Sequence, residues 1–127
     1  MYLEMTQGVR IEVEPTYIPD KSKPEMNYFV FAYRIKIVNE RDTPTQLVSR
    51  RWIITDGNGE VHEVKGPGVI GQQPILAPQE EFEYSSFCPL PTPTGNMRGT
   101  YQMVDQNQME YDVKIPLFFL RDMRSLH

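Results

Sequence analysis

Hydrophobic side chains recur at every second residue over most of this chain, and that period decides what the chain can fold into. Val9, Ile11 and Val13 alternate with Arg10, Glu12 and Glu14. Phe29, Phe31, Tyr33, Ile35 and Ile37 share one parity, while Arg34 and Lys36 occupy the other. Phe82 and Tyr84 alternate with Glu81 and Glu83, and Met109, Tyr111, Val113, Ile115 and Leu117 alternate with Glu110, Asp112 and Lys114. Period two puts one set on a buried face and the other in water, as in a half-buried strand. No stretch of comparable length carries a helical stripe. Eleven prolines, spread from Pro15 to Pro116, restrict helices further by removing donors and blocking the preceding turn.

The breaks between these runs are equally legible. Asp56-Gly57-Asn58-Gly59 separates Arg51–Thr55 from Glu60–Val64, and Asn-Gly is a strong hairpin signal because both residues tolerate positive φ. Gln106-Asn107 marks a second hairpin, and Pro89 to Asn96 is a longer connection. Strands are expected near 8–18, 27–39, 46–55, 60–65, 80–88, 97–105 and 108–120, with a short piece at 75–76. Seven or eight such strands in one chain of 127 residues predict a single domain, 1–127, folded as an all-β antiparallel sandwich of the immunoglobulin-like or fibronectin type III-like kind. Trp52, with Val48 and Ile54 on its parity, reads as a core anchor. Tyr101 reads as an ordinary packed tyrosine; the alternative is a tyrosine corner with its hydroxyl on backbone. The tail Arg121–His127 reads as loose.

Charge and cysteine usage narrow the function. A net charge of −4 argues against a general nucleic-acid binder, although Arg50 and Arg51 form a local basic pair. The sole cysteine, Cys88, cannot make an intrachain disulfide, and this fits a reducing compartment. Met1–Arg10 has no apolar stretch of a signal peptide, and no segment reaches the roughly 20 apolar residues of a membrane span. A cytoplasmic protein is expected.

Gly66-Pro67-Gly68-Val69-Ile70-Gly71 spells G-x-G-x-x-G, the form of a dinucleotide-binding turn. Such a turn must open a helix whose N-terminal N–H groups hold the pyrophosphate. Here Pro74 and Pro78 follow closely and leave no room for it. Gly66, Gly68 and Gly71 are therefore expected to shape a loop between strands, with Val69 and Ile70 buried or facing a partner. A backbone nest for phosphate is the alternative, weakened by Pro67, which has no N–H.

Other chemistry is thinner. His62 lies near Glu60, Glu63, Asp56 and Asn58, but only His62, His127 and Cys88 supply nitrogen or sulfur ligands, and Asp56–Glu60 lacks the glycine and the distal glutamate of a calcium loop. An exposed hairpin is expected there, with no metal and no cofactor. Cys88 shares the parity of Phe82 and Tyr84, which predicts a buried, inert thiol. No serine has a base beside it in sequence, so no catalytic residue is assigned. Edge strands and proline-rich loops leave binding of an unidentified protein partner as the leading function. A nucleotide- or divalent-cation-responsive binding protein using the Gly66–Gly71 loop, with weak phosphate binding, ranks second, and phosphohydrolysis third.

The strings Arg51-Trp52-Ile53-Ile54-Thr55-Asp56-Gly57-Asn58-Gly59, Val64–Pro74, Leu76-Ala77-Pro78, Phe82–Ser86, Thr92–Met97, Gly99–Met103 and Ile115–Leu120 occur in this order. Together they resemble the bacterial ApaG family over about Val9 to Leu120. The resemblance implies the same sandwich in a small cytoplasmic protein without established catalysis. It also implies an association with cobalt resistance and magnesium transport, and a protein-interaction role in related eukaryotic domains. A pyrophosphate site discussed for the family's glycine loop maps onto Gly66, Gly68 and Gly71. This chain departs from the family at Gln79, where glycine is common, and at Pro67.

Overall fold

In the computed structural model, which describes residues 1–122, nine strands form two antiparallel sheets. They are β1 (Tyr2–Thr6), β2 (Val9–Tyr17), β3 (Phe29–Asn39), β4 (Thr45–Asp56), β5 (Val61–Pro67), β6 (Ile75–Leu76), β7 (Glu81–Leu90), β8 (Thr94–Asp105) and β9 (Glu110–Arg121). One sheet runs β1-β2-β3-β7, and the other runs β5-β4-β8-β9 with β6 beside the start of β4. Two short 3-10 turns, Pro19–Lys21 and Pro24–Met26, lie between β2 and β3. The fold is the expected all-β, fibronectin type III-like sandwich.

The alternating runs supply the core. Val9, Ile11 and Val13 from β2 and Phe31, Ile35 and Ile37 from β3 are almost fully buried against Leu47, Met97, Tyr101, Met103, Val113 and Phe118. Trp52 is 3 % exposed and sits edge-on to Tyr33 and Phe118, with ring centroids 5.4 and 5.9 Å away. Tyr101 is fully buried, and its hydroxyl meets that of Tyr84 on the opposite sheet at 2.6 Å. The Tyr101 hydroxyl thus ties β8 to β7 through a side chain, where a tyrosine corner would bond to backbone.

Three features depart from the expected pattern. The register of β4 shifts between Leu47 and Ser49, so Leu47 takes the core place and Val48 leaves it. A bulge inserts one residue, and every side chain beyond it changes face. A second irregularity, between Met97 and Gly99 of β8, lies opposite Ile115 to Phe118 of β9. There Pro116 is buried, Leu117 turns outward at 47 % exposure, and Phe118 and Leu120 become the core residues. Finally, β1 was not expected. Its apolar Leu3 and Met5 point to solvent while Tyr2, Glu4 and Thr6 are half-buried, so its pattern is inverted.

Two edges lie together on each side of the sandwich. On one side β1 approaches β9: Thr6 Oγ1 accepts the Lys114 N–H and the Tyr2 hydroxyl accepts the Phe119 N–H, both at 3.3 Å. Arg121 ends β9, and the Asp122 N–H donates to Pro93 O at 2.8 Å. The remainder of the tail lies outside the described residues. The other side is flanked by β7 and β5.

Candidate edge cleft and glycine loop

Between β5 and β7 the sandwich opens into a cavity of about 390 Å³. Tyr33 and Trp52 belong to both the core and the cavity wall; Val64, Phe87 and Pro91 stand at its rim. Every residue of β5 is exposed except Gly66, which is half-buried. Phe87 is 55 % and Val64 is 41 % exposed. The ammonium of Lys21 lies 5.4 Å from the centre of the Phe87 ring. Phe87 shares the parity of Glu81 and Glu83, and a large apolar residue in a polar register is the sequence signal for this rim.

Arg50 borders the cavity from within β4, and its Nη1 donates to Pro67 O at 3.0 Å and Gly68 O at 2.9 Å. Burial raises the Tyr33 hydroxyl above its ordinary pKa against an opposing hydrogen bond with Ser86. Burial also drives the Cys88 thiol up to about 11. Little nucleophilic thiolate exists at neutral pH under that condition.

The glycine loop is a tight reversal. Ile70 and Gly71 both have positive φ, 42° and 78°, between Val69 and Gln72, which exchange N–H···O bonds of 2.8 and 2.9 Å. Those angles are of the type I′ kind. Gly68 also has positive φ, 59°, and a Cβ there would collide with Gln72 O. Gly66 lies against the Arg50 guanidinium, whereas the space beside Gly71 is open. Val69 is buried and Ile70 is 54 % exposed.

The loop's donors bear on phosphate binding. The Gly68 N–H donates to Val48 O at 2.8 Å, and those of Val69 and Gln72 bond to each other's carbonyls. Pro67 has none. A nest needs consecutive free N–H groups converging on an anion, and three of these donors are already engaged. A hollow of about 540 Å³ does lie beside Gly66 and Pro67, with Arg51 and Lys65 on its wall. Both cations reach Glu63, at 2.6 and 3.4 Å, and the Arg51 hydrogen bond holds the Glu63 carboxyl below its usual range.

At the tip of the β4–β5 hairpin, Asp56, Glu60 and His62 come together. Gly59 has φ 84° and its N–H donates to Asp56 O at 3.0 Å, so the loop is a three-residue reversal with glycine in the left-handed position. Among the described residues, no helix is long and apolar enough to cross a membrane.

Two antiparallel sheets, one exposed edge strand and a tight glycine loop define a fibronectin type III-like β-sandwich. The chain belongs to the ApaG domain family, whose model matches residues 19–105. It is 52 % identical over 117 residues to Protein ApaG of Bordetella pertussis, covering 92 % of this chain and 89 % of that protein. It is 51 % identical over 124 residues to Protein ApaG of Dechloromonas aromatica, covering 96 % and 98 %. The crystal structure of the ApaA protein from Bordetella pertussis superposes with a TM-score of 0.89 at 51 % identity, over 91 % of this chain and 94 % of that one. The C-terminal domain of wzt shares the fold, with a TM-score of 0.54 at 11 % identity over 94 % and 76 %.

Proposed function

We propose that this protein is a non-catalytic, cytoplasmic interaction module that adds an extended segment of a partner protein to the β5 edge. One apolar side chain of that segment enters the β5–β7 cavity. The carrying observation is an exposed edge strand directly beside a cavity walled by Trp52 and Tyr33. Edge strands offer unpaired backbone groups that give affinity, while an adjacent pocket gives side-chain specificity. The buried Cys88 thiol, held protonated, counts against a cysteine nucleophile.

A second reading is a nucleotide or pyrophosphate site at Gly66–Gly71, favoured by the hollow bordered by Arg51 and Lys65. Its engaged N–H groups and its Glu63-paired cations count against it.

One experiment separates the two. Peptides selected on the protein from a random library are titrated while backbone amides and the fluorescence of Trp52, the chain's single tryptophan, are followed. Peptides with one essential apolar residue should shift amides of Val61–Pro67 and change the Trp52 emission. Phe87→Ala should weaken them by about 1–3 kcal/mol, as loss of an anchoring contact does. Selected peptides that leave β5 unchanged would remove the first reading. Micromolar ATP binding centred on Gly66–Gly71 would install the second.

A further inference from the structure

We propose that Asp56, Glu60 and His62 form a binding site for a divalent first-row transition ion at the tip of the β4–β5 hairpin. Each residue offers one ligand atom, and the three atoms lie within 4.8 Å of one another. Ligand atoms about 2.0–2.2 Å from a shared ion are separated by roughly 3–4 Å. Glu60 and His62 are both exposed, so their side chains are free to close on a shared ion.

The distinguishing observation is Asp56. It is 4 % exposed, and its Oδ2 is buried with no hydrogen-bond partner. Its Oδ1 accepts the N–H groups of Asn58 at 2.8 Å and Glu60 at 3.1 Å. A buried carboxylate oxygen without a partner is rare, because it has lost water and gained nothing. A cation held between this carboxylate, Glu60 and His62 supplies the missing interaction.

The β8–β9 hairpin is an internal control. Asp105 Oδ1 accepts the N–H groups of Asn107 and Met109, at 2.8 and 3.0 Å. Gln108, with φ 64°, takes the part of Gly59. The two backbones are alike, so the paired N–H bonds belong to the turn. What differs is the rest: Asp105 is half-buried, and Met109 and Tyr111 stand where the first hairpin has Glu60 and His62. The turn by itself requires neither the buried Oδ2 nor the two added ligands.

The hairpin is also held in place. The Gly57 N–H donates to Thr92 Oγ1 at 2.7 Å, and the Asp56 N–H to Glu60 O at 3.0 Å. Glu60 and His62, two residues apart along an extended segment, point to the same side. One imidazole with two carboxylates suits Zn²⁺ and its neighbours better than Mg²⁺ or Ca²⁺, which prefer oxygen alone. Three protein ligands leave a coordination position open. The sequence places Asp56, Glu60 and His62 near one another, but nothing local shows that Asp56 is buried.

Calorimetric titration of the tag-free chain with ZnCl₂ tests the proposal. The expected result is a one-to-one isotherm in the micromolar range that survives millimolar MgCl₂. His62→Gln and Glu60→Gln should each weaken it at least about tenfold, the loss typical of a disturbed metal site. Both side chains are exposed, so these variants should fold, which circular dichroism checks. Asp105→Asn and His127→Ala should bind as the parent does. No saturable heat below millimolar Zn²⁺ overturns the proposal, as does binding unchanged in His62→Gln and Glu60→Gln or lost in His127→Ala.

Discussion

Replacing Tyr101 by phenylalanine removes one oxygen from the centre of the sandwich and strands another. The Tyr101 and Tyr84 hydroxyls are 2.6 Å apart, with the side chains 0 % and 6 % exposed. Each is the other's partner across the two sheets. Tyr101→Phe forfeits a hydrogen bond and leaves the Tyr84 oxygen desolvated, which together cost about 1–3 kcal/mol. Tyr84→Phe should cost a similar amount for the same reason. The double variant removes both oxygens from the same apolar space, and replacing both partners is nearly neutral. Equilibrium urea melts of the parent, the two single variants and the double variant close the cycle. The double variant should be more stable than the sum of the singles predicts by about 2 kcal/mol or more, well outside the roughly 0.3–0.5 kcal/mol scatter of independent sites. Additive losses would refute the reasoning, because they would mean that each hydroxyl is satisfied without the other.

Two further outcomes follow from backbone strain and from proton linkage. Ile70 at φ 42° and Gln79 at φ 69° occupy the left-handed region, which costs a non-glycine residue about 1–2 kcal/mol. Ile70→Gly and Gln79→Gly should each raise stability, by up to about 1 kcal/mol after the entropy glycine adds to the unfolded chain; a loss in thermal melts would show that the side chains contribute more than the strain removes. Burial raises the Tyr101, Tyr84 and Tyr33 hydroxyls, and drives the Cys88 thiol up to about 11. The unfolded chain therefore loses these protons first. This stabilisation is complete below the unfolded values, about 8.5 for the thiol and 10 for tyrosine, and is lost as pH rises toward the folded ones. Stability should fall above roughly pH 9, and above pH 10 by about 1.4 kcal/mol per pH unit for each tyrosine that stays protonated; urea midpoints unchanged to about pH 10.5 would contradict it.

The sequence by itself determined the sheets, because a period of two is a local property that any half-buried strand must show. It also determined the hairpin at Asp56–Gly59, since glycine in a left-handed position is a local need. Gln79 shows the same logic from the other side: it fills a position of positive φ where the family commonly has glycine. Tertiary structure decided what no local pattern carries. The bulge near Val48 and the irregularity opposite Pro116 change which parity is buried, so Leu47 and Phe118 replace Val48 and Leu117 in the core. β1 carries no strand signal in the sequence because its apolar Leu3 and Met5 face solvent while Tyr2 and Thr6 meet β9, the reverse of the usual rule. In the glycine loop the Gly68 N–H bonds to Val48 O, a carbonyl twenty residues away that only the folded chain brings near. The β5–β7 cleft and the burial of Asp56 depend on contacts between residues distant in sequence, such as Gly57 with Thr92. Such contacts are fixed by how the two sheets pack, and alternation within one strand contains no information about the other sheet.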